Sequence, residues 1–132
     1  MKNSALEELN VGFVAFSPMA NGFLSGKYGK GVQFDKKYDY RSNMPQFTDE
    51  AVEQNRELLA LLNKMAEKKD ATPAQISMAW MLCKKPWIVP IPGTRKEDRM
   101  LENAGAAGVL FRFRELVNWT GCRRMQKQQR LS

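Results

Sequence analysis

Residues 87–103, WIVPIPGTRKEDRMLEN, pass from a short apolar run through a Pro-Gly break into a polar, helix-like segment. The run at 87–91 (WIVPI) is rich in β-branched side chains and almost without polar ones, which predicts a strand buried on both faces. Pro92 and Gly93 end it. Thr94 stands where a helix N-cap belongs and Glu97 follows three residues later, so the pair predicts a capping box and a helix running to about Ala107. Such a turn aims free backbone N–H groups and the positive end of a helix dipole at whatever lies beyond the strand. Arg95, Lys96 and Arg99 add charge of the same sign. The simplest ligand for this corner is a phosphate. The same pattern is also ordinary α/β punctuation, with basic side chains that are merely solvated.

The composition fits one modest domain. The chain has 132 residues, 43% hydrophobic and 27% charged, and mean hydropathy is −0.50, values of a globular protein with its own core. No apolar run is long enough to cross a bilayer, and the opening residues, MKNSALEELN, have no signal-peptide core, so a cytoplasmic protein is expected. Cys83 and Cys122 are far apart in dissimilar contexts, which suggests neither a disulfide framework nor a metal site. Histidine is absent, which removes the commonest general base and metal ligand and every Ser/His or Cys/His pairing. The net charge of +7 is uneven: residues 110–132 hold six basic side chains against Glu115 alone and so carry +5 of it.

A second strand is expected at residues 11–16 (VGFVAF), after a short helix over residues 4–9 that Asn10 closes. Two apolar strands separated by helices argue for a parallel sheet in an α/β protein. Ser17 and Pro18 end the first strand, and MANGFLSG follows as a flexible, backbone-exposing loop. Residues 27–47 have no helical or strand period; their aromatics, Tyr28, Phe34, Tyr38, Tyr40 and Phe47, suggest a loop packed over something, and a solvated insertion is the competing reading. Residues 48–69 predict a helix with a Thr48 cap and an apolar stripe of Val52, Leu58, Leu59, Leu62, Met65 and Ala66. Thr72, Pro73 and Gln75 predict a capping box opening a further helix that buries Ile76, Ala79, Trp80 and Cys83, with Met78 and Met81 as packing residues.

Two blocks in this order, GFVAFSPMANGFLSGK and ATPAQISMAWMLCKKPWIVPIPGTRKEDRMLENAGAA, resemble the aldo-keto reductases, and the linking FDKKYDYRSNMPQFT resembles one branch of that family. The resemblance covers about residues 5–107. It implies an α/β fold, a partial (β/α)8 TIM barrel comprising its carboxyl-terminal half, with about two parallel strands and three or four helices. It further implies an oxidoreductase that uses NADP, with NAD as the alternative, to reduce aldehydes or ketones. By position, Phe16 matches the aromatic that stacks on the nicotinamide. Ser17, Pro18, Met19, Gly22 and Leu24 match the loop around the pyrophosphate. Gly93, Thr94 and Arg99 match the holders of the adenosine 2'-phosphate, and Glu102 and Asn103 match the adenine contacts. Physics agrees, because a barrel enzyme places its phosphate site on the loops after the seventh and eighth strands.

The departures matter as much. Many relatives have lysine where this chain has Gly93, so preference for NADP rests on Arg99, Thr94 and Arg95. The family's tyrosine, lysine, histidine and aspartate catalytic set matches nothing here, since Tyr28, Tyr38 and Tyr40 all fall in the long loop. A barrel of this kind takes about 250 residues, so the expectation is a fragment with dinucleotide-binding loops, inactive alone and prone to self-association through open sheet edges. The expected division is 1–109 as the cofactor-binding part of the barrel and 110–132 as an atypical basic tail. Codon degeneracy gives that tail a specific origin. Asn118, Trp119 and Thr120 are encoded AAY, TGG and ACN, and the frame starting one base earlier reads leucine then aspartate, the pair that the family's last helix carries. A frameshift between about Gly108 and Arg114 accounts for this. The alternative function is a non-catalytic protein that uses Arg123, Arg124, Lys127, Arg130 and Trp119 on nucleic acid or another acidic surface; it is the weaker reading because the tail has no recognisable reading motif.

Overall fold

The computed structural model describes residues 4–112, 114 and 115. Strands β1 (Phe13–Phe16) and β2 (Ile88–Ile91) pair in parallel, with Phe13 opposite Ile88 and Phe16 opposite Ile91. The ladder opens with the Phe13 N–H donating to the Trp87 carbonyl at 2.8 Å. Helix α1 (Ser4–Glu8) precedes β1, and Asn10, at φ 52°, turns the chain in the left-handed conformation that asparagine tolerates. An ion pair between Lys85 and Glu7 ties α1 to the approach to β2. Between the strands lie α2 (Asp49–Gln54), α3 (Arg56–Lys69) and α4 (Pro73–Lys84), and α5 (Glu97–Ala104) follows β2. This is the α/β arrangement expected, with five α-helices among the described residues rather than three or four.

Four expectations are corrected. Residues 48–69 do not form one helix: Asn55, at φ −99° and ψ 8°, donates from its side chain to the Ala51 carbonyl at 2.7 Å and marks a break between α2 and α3. The strands are not buried on both faces. Ala15 and Ile88 pack inward on the helical side, whereas Val14, Phe16, Val89 and Ile91 are exposed on the other, since no further element among the described residues covers that face. Cys83 is exposed, while Ser77 and Met78 are buried, because α4 is flanked by α3, β2, α5 and the turns at Ala20–Ser25 and Gly105–Gly108 and so buries a wider arc than one stripe. The last helix ends at Ala104 and tightens into a 3-10 turn, Gly105–Gly108.

The core has two parts. Leu62, Ala66 and Ile76 form the first, with Leu24, Leu58, Trp80, Val109 and Phe111 packed around them. Phe23, Phe47 and Val52 form the second, beneath the long loop, with Tyr28 and Phe34 against it. The Thr72 and Gln75 capping box at the start of α4 is complete. Among the described residues no helix is long and apolar enough to cross a membrane, and no cluster of His, Cys, Asp or Glu could hold a metal ion. Trp119, Cys122, Arg123, Arg124, Lys127 and Arg130, and with them the nucleic-acid reading, lie outside the described residues.

Residue 109 marks no break in packing. Glu115 is buried and receives Lys68 Nζ at 2.7 Å, Lys69 Nζ at 2.8 Å and the Arg112 N–H at 2.8 Å, which clasps this segment to the end of α3. The Lys68 hydrogen bond, then that of Lys69, then the Arg112 amide, hold its carboxyl down at about 2 against an ordinary 4.5. A carboxylate depressed on folding contributes stability that is present above the unfolded value and lost as pH falls toward the folded one. Glu115→Gln is therefore expected to cost about 1–2 kcal/mol at neutral pH. The gap between variant and parent, measured by urea denaturation, closes between pH 4.5 and about 2; a gap independent of pH would show that the ion pairs do not carry it.

Candidate functional site

The pairing of Phe16 with Ile91 sets the carboxyl ends of both strands side by side, so the segments starting at Ser17 and Pro92 leave from the same end of the sheet. Beyond β1 the backbone adopts an unusual run of left-handed conformations: Ser17 at φ 47°, Ala20 at 49°, Asn21 at 58° and Gly22 at 94°. Left-handed non-glycine residues cost energy and persist only where surrounding structure imposes them, which singles out the segment as a site candidate. What imposes them is local. The Ala20 N–H donates to the Ser17 carbonyl at 2.9 Å, the Gly22 and Leu24 N–H groups both donate to the Met19 carbonyl at 3.0 and 3.1 Å, and Ser25 Oγ donates to the Gly22 carbonyl. Phe23, buried, and Leu24, half-buried, nail the loop to the core. Ser17 stays exposed, Pro18 and Met19 half-buried, and Phe16 stands 80% exposed at the strand end, its ring free to lie against a flat ligand.

Beyond β2, residues 93–98 are exposed and Arg99 is half-buried. The predicted capping box does not form. Thr94 Oγ1 accepts from the Lys96 N–H at 3.1 Å in a tight turn of its own, so α5 starts at Glu97 with Lys96 at its N-cap and without a side-chain cap. Glu97 and Asp98 fill the first turn and already answer the helix dipole, so the corner's appeal to an anion comes from its cations, Arg99 foremost. Glu102 and Asn103 are half-buried on α5. Gln75, whose Oε1 closes the capping box of α4, donates from Nε2 to the Glu102 carbonyl at 2.8 Å and thereby fixes α5 against α4. Gly105 makes room for that side chain, since a Cβ there would lie 2.6 Å from Gln75 Nε2.

The long loop proves to be packed. Phe34 and Phe47 meet edge-on with centroids 4.8 Å apart, Tyr28 joins them at 5.3 and 5.8 Å, and Phe23 meets Phe47 at 5.8 Å, while Tyr38 and Tyr40 face outward. Arg41 binds Asp39 through Nε and Nη2 and lies over the rings of Tyr28 and Phe34. Its Nη1 donates to the Tyr28 hydroxyl at 2.9 Å. The Arg41 guanidinium holds the Asp39 carboxyl below its usual range, and Asp39 in turn raises Arg41. Arg41 lowers the Tyr28 phenol, and Arg99 adds to that lowering. Asn21 is held as well, its Oδ1 accepting from the Tyr40 hydroxyl at 3.1 Å. Reasoning from sequence missed Asp39 and Arg41 and gave Gln75 its capping role without its bond to α5; an Arg two residues after an Asp within an aromatic-rich loop was the available signal for the first two.

The sequence model of the aldo/keto reductase family matches residues 3–123. Aldo-keto reductase str7 of Strobilurus tenacellus is 38% identical over 110 residues, which cover 83% of this chain and 32% of that protein. Aldo-keto reductase yakc of Schizosaccharomyces pombe, whose name specifies NADP(+), is 36% identical over 105 residues, 80% of this chain and 31% of its own. Among solved structures, the glycerol dehydrogenase of Gluconobacter oxydans superposes with a TM-score of 0.77 at 24% identity, over 88% of this chain and 35% of that one. The chain thus spans about a third of the length of the relatives it matches. The likeness identifies the fold as part of a (β/α)8 barrel. In such a barrel alternate strand residues point to the interior, which accounts for the open apolar face of Val14, Phe16, Val89 and Ile91.

Gly22 is where glycine is demanded twice, by φ 94° and by Tyr28, whose Cε2 would lie 2.9 Å from an added Cβ. Gly31 has φ 78° and open space. Gly22→Ala is expected to destabilise by about 2–3 kcal/mol and Gly31→Ala by about 1 kcal/mol; equal losses on denaturant titration would mean that the Tyr28 ring yields freely.

Proposed function

Because this chain belongs to the aldo/keto reductase family, we propose that its two strand ends form the dinucleotide-binding part of an NADP(H)-dependent reductase of aldehydes or ketones. The observation that carries this reading is the register of β1 on β2, by which the left-handed loop from Ser17 and the segment that leads to Arg99 leave the sheet at the same end. The fit is chemical as well as positional. Tight, hydrogen-bonded left-handed backbone brings main-chain groups close to a ligand without side chains in the way. The flat, permanently charged guanidinium of Arg99 matches a phosphate.

In this reading Phe16 lies against the nicotinamide, and Ser17, Pro18, Met19, Gly22 and Leu24 wrap the pyrophosphate. Gly93, Thr94 and Arg99 take the 2'-phosphate, and Glu102 and Asn103 the adenine. NADP is preferred to NAD through Arg99, Thr94 and Arg95. When bound, the reduced nicotinamide supplies hydride to a carbonyl carbon. The chain's own contribution is to bind and orient; proton delivery to the carbonyl oxygen falls to groups outside this set, since the sequence contains no histidine and its tyrosines all lie in the long loop. We further read residues 110–132 as a tail replaced by a frameshift, which resequencing of the gene across Gly108 to Arg114 tests.

Titration of the purified chain with NADP+ and NAD+ by calorimetry tests the reading. Arg99→Ala is expected to weaken NADP+ binding about 10–100-fold and to change NAD+ binding far less. NADPH oxidation with a simple aldehyde is expected to stay at background for the 132-residue chain. Equal losses for both nucleotides, or measurable turnover, would contradict the respective expectations.

A further inference from the structure

The cap of α4 needs only an acceptor from the side chain of Gln75, and a glutamate would supply one as well. Gln75 Oε1 is that acceptor, taking the Thr72 N–H at 3.0 Å, while the Gln75 N–H donates to Thr72 Oγ1 at 3.2 Å. The other end of the amide has a separate task. Its Nε2 donates to the Glu102 carbonyl at 2.8 Å. Turned over, the same amide would set donor against donor and acceptor against acceptor, so both partners fix its orientation. A donor at this position is what α5 requires and the cap does not.

The Glu102 carbonyl lies in the last turn of α5, where helical carbonyls run out of partners four residues on. Arg99, Glu102 and Asn103 stand three and four positions apart and so share one face of that helix. They are half-buried, whereas the other residues of α5 are exposed. The bond from Gln75 anchors the turn that carries this face. Gly105 shows how closely the anchor is fitted. Its φ of −60° and ψ of −17° suit any residue, yet a Cβ there would lie 2.6 Å from Gln75 Nε2, and the amide would have to swing off the carbonyl to clear it. Glycine at 105 is thus required by the Gln75 amide and not by the backbone.

We propose that Gln75 is a positioning residue for the adenine end of the nucleotide site: its amide sets where the last turn of α5 lies, and with it the angle at which Glu102 and Asn103 meet the ring. The inference rests on the dinucleotide reading above and deepens it, adding a residue that acts through α5 and not on the ligand itself. The nicotinamide end belongs to Phe16 and the loop after β1, whose own hydrogen bonds do not involve Gln75. Loss of the amide donor therefore weakens one end of the site and spares the other.

The test uses the two halves of NADP+ as separate probes on the full chain: its adenosine bisphosphate half for α5, and nicotinamide mononucleotide for the loop after β1, each followed by calorimetry or by chemical shift. Gln75→Glu keeps the acceptor of the capping box and removes the donor, so the start of α4 is retained while the bond to α5 is lost. It is expected to weaken the adenosine bisphosphate about five- to tenfold and to leave the mononucleotide within about twofold of the parent. Gly105→Ala reaches the same amide from the other side and is expected to give a loss of the same kind. Introduced into Gln75→Ala, it is expected to add nothing, because the atom it would strike is gone. Urea denaturation reports whether each variant is folded, and should Gln75→Glu fail to fold, Gly105→Ala decides by the same comparison. Equal weakening of both probes would make Gln75 a merely structural residue and overturn the proposal. So would an unchanged affinity for the adenosine bisphosphate, or additive effects of the two substitutions, either of which would leave the dinucleotide reading standing. A parent chain that fails to bind one or both probes would overturn that reading, and this proposal with it.

Discussion

The main-chain ladder between β1 and β2 is the constraint on which the rest depends. Four paired residues on each strand do little for stability alone, but they fix translation to within one residue, and a slip of one would turn Ala15 and Ile88 away from the helices. The same register decides that Ser17 and Pro92 emerge together. A ligand shared by the two segments depends on that adjacency, since they lie far apart in sequence and start side by side only because their strands are neighbours.

Around this ladder the helices act as mounts. Helix α4 packs against both α3 and β2, with Ile76 in the core beside Leu62 and Ala66 of α3, and Gln75 reaches across to α5. The long loop returns over the turn after β1 and locks there through aromatic edges and one arginine held on several sides. Arg41 contributes order more than charge, since Asp39 balances it and two rings confine it. Aromatic pairs and confined guanidiniums of this sort are each worth about 0.5–2 kcal/mol, enough in combination to hold a loop with little helix and no strand of its own.

Much of this was legible in the residues. Apolar runs gave both strands to within two residues, and the Thr-Pro-Ala-Gln sequence gave the start of α4 together with its cap. The resemblance gave the family. Three things were hidden for physical reasons. Thr94 and Glu97 have the spacing of a capping box, but the threonine hydroxyl is taken by the nearer Lys96 amide, and spacing alone does not rank two competing donors. Continuous apolarity indicated burial on both faces because sequence records what a strand could bury, not what is present to cover it. The clasp of Arg41 on Asp39, Tyr28 and Phe34 forms inside a loop without periodicity, where no repeat announces which side chains will meet.

Pro90 lies within β2, opposite Ala15. Because Phe13 donates to the carbonyl of Trp87, the odd-numbered residues of β2 turn their polar backbone toward β1 and the even-numbered ones turn theirs outward. Position 90 is thus an outward one, and proline has no hydrogen there to offer. A chain approaching that flank would be refused one link of its ladder, whereas the opposite flank, at Val14 and Phe16, presents an unbroken row. Among the described residues the two margins of the strand pair therefore differ in kind, the one along β2 lacking a donor that the one along β1 keeps.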